Sequence, residues 1–357
     1  MLRHPASLAP ALAALLAFAA SAPVPALVIK PAVPAIAPDE ILWWAPTAST
    51  LVLVRASGTL EIRSLKNASL LRKTILPDFH FDSPQSCHFT LSSTRDDATL
   101  ACQFPNALLF IPLATLQPVA VTEPKIMDPD HLLGRGTFGK SEKMFCIMSY
   151  DTGDVWALDP ETAATVEHGS TEEPDADAVF LSDDGETYLT IGHRQSLSAW
   201  KWPAHRMYTI NAAKTDGRLE LPTAETCANV VAVLDSETSI KGIDLSTGKT
   251  LFTLPIKEDQ DLLALSPDAT HYVLSTPGHL ELGTLTAGHP TPHPLTLPAK
   301  LPQDCFFSSD GKQLLCLNTL NEQSGKDKKV TLTRDVTSLT FYDVTTGKPL
   351  RELSLKP

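Results

Sequence analysis

Beyond residue 40 the chain is written in short apolar runs, each stopped by glycine, proline, aspartate or serine. Leu51-Val52-Leu53-Val54, Leu60-Glu61-Ile62, Leu108-Leu109-Phe110-Ile111, Val230-Val231-Ala232-Val233 and Leu314-Leu315-Cys316-Leu317 are of this kind. Runs this short, bounded by turn residues, predict β-strands, and the 3.6-residue periodicity of an amphipathic helix is nearly absent after residue 40. The chain reads as all-β.

The turns between the runs repeat. Ser182-Asp183-Asp184-Gly185, Ser266-Pro267-Asp268-Ala269 and Ser308-Ser309-Asp310-Gly311 each join two apolar runs, and their first serines stand 84 and 42 residues apart. Half of 84 falls on Ala224, just ahead of the run Val230 to Leu234, and going backward similar hairpins centre near Gly139, Thr94 and Thr47. A second turn recurs in the other half of the unit: Asp159-Pro160-Glu161-Thr162, Asp244-Leu245-Ser246-Thr247-Gly248-Lys249 and Asp343-Val344-Thr345-Thr346-Gly347-Lys348. There the aspartate accepts amide protons of the turn and the glycine takes positive φ at little cost. One unit is therefore strand, Ser-x-Asp-Gly turn, strand, loop, strand, Asp-x-x-Thr-Gly turn, strand. Four antiparallel strands per unit of about 42 residues are the signature of a β-propeller, and seven units are predicted.

These paired turns resemble those of the WD40-like and YVTN-type bacterial seven-bladed propellers, in the superfamily of the quinoprotein amine dehydrogenase beta chain. The resemblance runs from Ile41 to Leu355. The stretch Val155-Trp156-Ala157-Leu158-Asp159, followed by Thr162, is also similar to a pyrroloquinoline-quinone-type repeat, though no unit completes that motif with its terminal Trp and none carries the Gly-His and Trp-Asp pair of true WD40 repeats. What the resemblance implies is a fold: relatives include scaffolds, lactonases and dehydrogenase subunits. The first unit opens on an inner strand at Ile41 to Trp44 and the last closes on an outer strand at Leu350 to Leu355. Ring closure is then expected by face packing, or by Ala26 to Lys30 adding to an edge.

The start of the chain carries an address. Arg3 and His4 precede the apolar stretch Leu8 to Ala20, which ends in Ala20-Ser21-Ala22, so residues 1–22 read as a secretory signal peptide. The apolar stretch is too short for a membrane span of roughly 20 residues. Residues 23–40, with Pro23, Pro25, Pro31, Pro34 and Pro38, form a stiff extended lead-in, and residues 41–357 form the propeller. The mature chain is expected to be exported, periplasmic or secreted, without a membrane span.

Composition narrows the function classes. With 43% hydrophobic and 20% charged residues the chain is globular, and 29 Lys plus Arg against 41 Asp plus Glu give a net charge of -12, which disfavours nucleic acid as a partner. The six cysteines allow disulfides in an oxidising compartment. Reflection about the turn at Asp310-Gly311 sets Cys305 opposite or nearly opposite Cys316, and reflection about Thr94 and Arg95 does the same for Cys87 and Cys102; either pair may instead stay as buried thiols. Cys146 and Cys227 have no local partner.

Candidate chemistry is sparse. Gly134-Arg135-Gly136-Thr137-Phe138-Gly139-Lys140 is similar to the glycine-rich loop of a protein kinase, but no Val-Ala-Ile-Lys, His-Arg-Asp or Asp-Phe-Gly follows, so it is read as the first hairpin of the third unit. Asp78, His80 and Asp82 alternate in the loop between units one and two, where two carboxylates and an imidazole on one side could hold a divalent cation, although a solvated loop accounts for the same residues and is the reading adopted. Asp128, Asp130 and His131 hold the corresponding place after unit two. Glu172, Glu173, Asp175 and Asp177 form an acidic run interrupted by Pro174, and Lys326, Lys328 and Lys329 lie in an insertion of the last unit. His193-Arg194 and Tyr150-Asp151 occupy matching loops of units four and three, and with Asp82 they are the candidate ligand-facing residues. The five tryptophans are assigned to blade packing. No Gly-x-Ser-x-Gly, His-Glu-x-x-His or Cys-x-x-Cys motif occurs, and no cofactor is called for. The expected function is that of a non-catalytic propeller binding a partner protein or a small ligand over its loops. The rival is a propeller enzyme, either a lactonase-like metal-dependent hydrolase or a quinone-dependent dehydrogenase-associated subunit.

Overall fold

The computed structural model describes residues 41–77, 87–104, 107–123, 126, 133–139, 143–171, 176–182, 185–192, 196–211, 230–236, 238–257, 260–276, 279–286, 289–294, 302–324 and 331–355. Every regular element among them is a strand. Sheet 1 is β1 (Ile41–Pro46), β2 (Thr50–Arg55), β3 (Thr59–Ser64) and β4 (Leu70–Ile75); sheet 2 is β5 (His88–Leu91), β6 (Thr99–Phe104), β7 (Ala107–Pro112) and β8 (Val119–Ala120). Sheet 3 holds β9 (Thr137–Phe138), β10 (Phe145–Met148), β11 (Asp154–Leu158) and β12 (Thr165–Ser170), and sheet 4 holds β13 (Ala176–Leu181), β14 (Thr187–Gly192), β15 (Ser196–Lys201) and β16 (His205–Asn211). Three strands make sheet 5: β17 (Val230–Ser236), β18 (Ser239–Asp244) and β19 (Thr250–Pro255). Sheet 6 is β20 (Asp261–Leu265), β21 (His271–Thr276), β22 (His279–Thr286) and β23 (His289–Pro294), and sheet 7 is β24 (Pro302–Phe307), β25 (Gln313–Ser324), β26 (Thr331–Asp343) and β27 (Pro349–Ser354). Each is an antiparallel meander in chain order, so the described residues form six four-stranded sheets and one of three.

The two repeated turns are structural devices. Between the first and second strands, Ser266 Oγ donates to Asp268 Oδ1 at 2.6 Å and Ser308 Oγ to Asp310 Oδ1 at 2.7 Å, while the amides of Gly185, Ala269 and Gly311 close on the carbonyls of Ser182, Ser266 and Ser308. Between the third and fourth strands, Asp244 Oδ1 accepts from Thr247 N and Oγ1, both at 2.8 Å, and Asp343 does the same for Thr346. This second turn also occurs in sheets 1 and 2, where the sequence conceals it, and in sheet 3 at Asp159 without the glycine. Ala68, Leu116 and Ala163 donate their amides to Ser64, Pro112 and Asp159, just as Gly248 and Gly347 donate to Asp244 and Asp343. All five residues have positive φ, 57° in the first three, so three sheets carry a left-handed conformation without glycine.

Sheets are sealed to one another by apolar faces. The cluster of Trp44, Val52, Leu53, Leu100, Phe306, Leu315, Leu339 and Phe341 joins sheet 7 to sheet 1 and sheet 1 to sheet 2. Phe110 and Ile147 belong to the cluster between sheets 2 and 3, Met148 and Tyr188 to that between 3 and 4, and Ile191 and Ile243 to that between 4 and 5. Leu254 packs with Leu274 across sheets 5 and 6, and Val273 with Tyr342 across 6 and 7. The circuit closes on itself: Trp44 meets Phe306 edge-on at 4.7 Å, and Arg351 of β27 reaches the carbonyl of Lys66 at 3.4 Å. The same grip, from an outer strand to the outer turn of the next sheet, recurs as Arg72 to Ala114 O (2.6 Å) and Tyr208 to Leu245 O (2.6 Å). This is an all-β propeller. Sheets 1 and 7 are each built from four consecutive strands, so they meet by face packing among the described residues; Ala26 to Lys30 lie outside those residues.

The tryptophans pack as expected, Trp43 on Phe89 at 5.9 Å and Trp156 on His168 at 5.4 Å. The glycine-rich stretch serves the same packing. A Cβ on Gly136 would enter the ring of Phe145, and one on Gly139 would stand 2.9 Å from Leu181 of the next sheet, so these glycines admit neighbouring side chains and cradle no phosphate.

Cys305 and Cys316 are directly opposed on β24 and β25 and joined by a disulfide, with Cα atoms 4.2 Å apart. Cys87 and Cys102 are not joined, which corrects the second expected bridge. Cys102 pairs with Phe89, two places along from Cys87, because the β5–β6 hairpin turns about a point beyond Thr94 and Arg95. In that turn Asp96 accepts from Thr47 Oγ1 (2.5 Å), Ser49 N (2.9 Å) and Ser49 Oγ (2.6 Å) of sheet 1. Cys146 is a buried thiol, and Cys227 lies outside the described residues.

Two predictions follow from the turns. Gly248→Ala adds left-handed strain and sets a methyl 3.0 Å from the Tyr208 ring, so it is expected to destabilise by about 1–3 kcal/mol. Gly311→Ala meets nothing within 4 Å and costs only the strain, about 1 kcal/mol. Urea unfolding of the two variants gives the ranking, and equal losses would contradict it. Partial burial raises the Asp96 carboxyl pKa, but the hydrogen bonds from Ser49 and Thr47 outweigh this and hold it below the usual carboxylate range. A depressed folded pKa means stability present above the unfolded value of roughly 3.9 and lost as pH falls through the folded one. The melting temperature of Asp96→Asn should therefore fall less steeply below pH 4 than that of the parent chain.

Candidate functional site

In an antiparallel meander, alternate connections emerge on alternate ends of the sheet, so the propeller has two unlike faces. One carries the turns between first and second strands and between third and fourth, and in those at Asp159, Asp244, Ser266, Ser308 and Asp343 the side chains bond groups of the turn itself. The other carries the second-to-third connections, among them 149–153, and the strand ends that lead into the links between sheets. On this face β25 and β26 stay paired far beyond their neighbours: β24 accompanies β25 only to Asn318 and β27 accompanies β26 only to Ser338, while the two central strands continue as a ribbon to Ser324 and Thr331.

A polar cluster stands at the same end of the inner strands of sheets 2 and 3. His88 opens β5, Gln103 faces it on β6, and Arg135 lies just ahead of β9. Arg135 Nε donates to His88 Nδ1 at 3.2 Å. The backbone around Arg135 is clamped on three sides. Gln103 Nε2 donates to Leu133 O (3.3 Å) and Gly134 O (3.1 Å), Thr90 Oγ1 to Gly136 O (3.4 Å), and Val179 N of sheet 4 to Arg135 O (3.0 Å). Gly134 also donates its amide to Met148 O at 3.0 Å, and Leu133 bridges Ser149, so this strand runs beside the root of the turn that holds Tyr150 and Asp151. Burial and the guanidinium beside it push His88 down to about 4, so near neutral pH it is an uncharged acceptor. Arg135 itself is exposed.

Of the residues singled out from sequence, Tyr150 and Asp151 are described. Tyr150 is half-buried and Asp151 exposed in the tight turn closed by Gly153 N to Ser149 O (3.1 Å). Asp78, His80, Asp82, Asp128, Asp130, His131, His193 and Arg194 lie outside the described residues, as do Lys326, Lys328 and Lys329. Among the described residues no three His, Cys, Asp or Glu side chains are gathered as metal ligands. His88, Gln103 and Arg135 escaped the sequence reading as a group because they meet only through register. The available signal was position, since His88 and Arg135 both open inner strands directly after long links.

No protein-family model matches the chain, and no curated protein matches it. Solved structures do. The computationally designed protein Ika8 is 14% identical, with a TM-score of 0.57 over 89% of this chain and 88% of its own. Dihydro-heme d1 dehydrogenase NirN, solved in complex with DHE, is 13% identical, with a TM-score of 0.56 over 87% of this chain and 66% of its own. Both are β-propellers, and so is this chain. Identities this low carry the fold alone.

The His88 shift predicts a pH effect on stability. Its folded pKa lies below the unfolded value of roughly 6.5, so its contribution is complete above that value and is lost as pH falls toward about 4. His88→Gln, which keeps a side-chain acceptor, should flatten the fall in urea midpoint across this window and leave the slope below pH 4 unchanged. An identical profile in the variant would rule the effect out.

Proposed function

We propose that this chain is an exported, seven-bladed propeller of the WD40-like or YVTN type that binds a partner protein through the face carrying the inter-sheet links, without catalysing a reaction. The observation that supports it most directly is the contrast between the two faces. One carries repeated turns whose Ser, Asp and Thr side chains bond within the turn at Asp159, Asp244, Ser266, Ser308 and Asp343; the other carries the β25–β26 ribbon and the His88–Arg135 cluster on a rigid scaffold. The seventh blade is sheet 5. The turn at Asp244 matches the third-to-fourth turns at Asp159 and Asp343, so β17, β18 and β19 take the second, third and fourth places of a blade. Export fits the cross-strand disulfide of β24 and β25, a bond that persists in oxidising compartments.

The test replaces residues 319–337 with Asn-Gly between the paired Asn318 and Ser338, a two-residue hairpin suited to type I′ geometry. Shortened and full-length mature chains serve as bait against an envelope extract, beside a third bait bearing Lys312→Glu on the opposite face. Loss of the captured partner with the shortened ribbon alone supports the reading. Equal capture by all three, or loss only with Lys312→Glu, would overturn it. A stoichiometric metal or a chromophore in the purified chain would favour the enzymatic alternative.

A further inference from the structure

We infer that Arg135 is a preorganised anchor for an oxyanion, a carboxylate or a phosphate group, presented by whatever docks on the link-bearing face. The inference rests on the proposed binding role of that face and names its recognition chemistry. Three observations carry it. First, among the described residues the guanidinium is fixed at one edge only. Its Nε is committed to His88 Nδ1 at 3.2 Å, which leaves the Nη1 and Nη2 edge as a fork of the geometry that grips two oxygens at once. Second, its strand is held by neighbours on both sides, by Gln103 and Thr90 of sheet 2 and by Val179 of sheet 4, so little ordering remains to be done when a ligand arrives.

The third observation is charge. His88 is a neutral partner and contributes no negative charge, and among the described residues no carboxylate is paired with Arg135, although acidic groups outnumber basic ones by 41 to 29 along the chain. The buried arginine Arg55 and the nearby Arg63 share Glu61. Arg135 differs from them in keeping its charge exposed at the end of an inner strand. A neutral imidazole orients the cation without cancelling it, which an ion pair cannot do.

The experiment follows the Arg135 Nε–Hε signal by NMR in the full mature chain, assigned by its disappearance in Arg135→Gln. Sodium acetate and inorganic phosphate are titrated separately at constant ionic strength. A saturable shift of this signal and of the neighbouring Gly136 amide is expected, absent at Gly136 in Arg135→Gln and weakened at least about tenfold in Arg135→Lys, whose ammonium offers no fork. Because the side chain is exposed, both variants should fold, and unchanged amide signals in the sheets check that. His88→Phe should weaken binding while leaving Arg135 in place. Tighter acetate binding marks a carboxylate ligand and tighter phosphate binding a phosphorylated one. A shift that never saturates, or that persists at Gly136 in Arg135→Gln, overturns the anchor. The probes need no partner, so such a failure leaves the ribbon experiment intact, and loss of the face reading leaves the anion titration to stand or fall by itself.

Discussion

Everything in this molecule depends on apolar contact between the faces of successive small sheets. A four-stranded sheet cannot bury both faces alone, and here each inner face is covered by the next sheet in the chain until the last covers the first. The magnitudes favour this contact over the polar ones. A fully buried Leu or Phe contributes about 1.5–3 kcal/mol, and each interface contains several, whereas a hydrogen bond such as Arg351 to Lys66 O contributes about 1 kcal/mol at most. The outer-strand grips therefore set alignment between sheets already held together by their faces. Among the described residues the ring closes without strand exchange, which makes the same demand at one seam, where Trp44 packs on Phe306 across sheets that no link of the chain joins.

The turns translate that packing into a repeat. Each sheet must present its faces at the same angle, which requires a reversal at the same place, and in sheets 1, 2, 3, 5 and 7 a left-handed residue of the outer turn supplies it. Where glycine is absent the conformation survives: Ala68, Leu116 and Ala163 are all buried and adopt it at a cost of order 1 kcal/mol each. Leu116 shows why. Its side chain joins the cluster between sheets 1 and 2, so burial offsets strain, an exchange glycine cannot make.

The strands, the two turn types and the opposition of Cys305 to Cys316 were legible because each is local: a run, a turn and a run fix one another. The outer turns of sheets 1 and 2 were not, since Ser64 to Ala68 and Pro112 to Leu116 have neither Gly nor the Asp-x-x-Thr pattern and are alike in backbone dihedral angle and hydrogen bond rather than in sequence signature. The Cys87 pairing failed for a different reason. The hairpin centres between Arg95 and Asp96, one position beyond the point local symmetry gave, and Asp96 in that turn is bonded to Thr47 and Ser49 of the preceding sheet, a contact that sequence symmetry does not encode. His88 and Arg135 are a sharper case, 47 positions apart in sequence and joined only by the stagger of two sheets.

That stagger bears on function. A propeller can make a site only where side chains from different sheets converge, and the end of the inner strands is the place where convergence needs no insertion. At sheets 2 and 3 the chain puts a cation there and holds it with a neutral histidine and a glutamine, while carboxylates elsewhere are occupied: Asp96 binds a neighbouring sheet, Asp268, Asp310 and Asp343 close turns, and Glu61 neutralises Arg55 and Arg63. Among the described residues these carboxylates are spent on structure and none pairs with Arg135, so the cation at the end of the inner strands keeps the charge that an anionic ligand would meet.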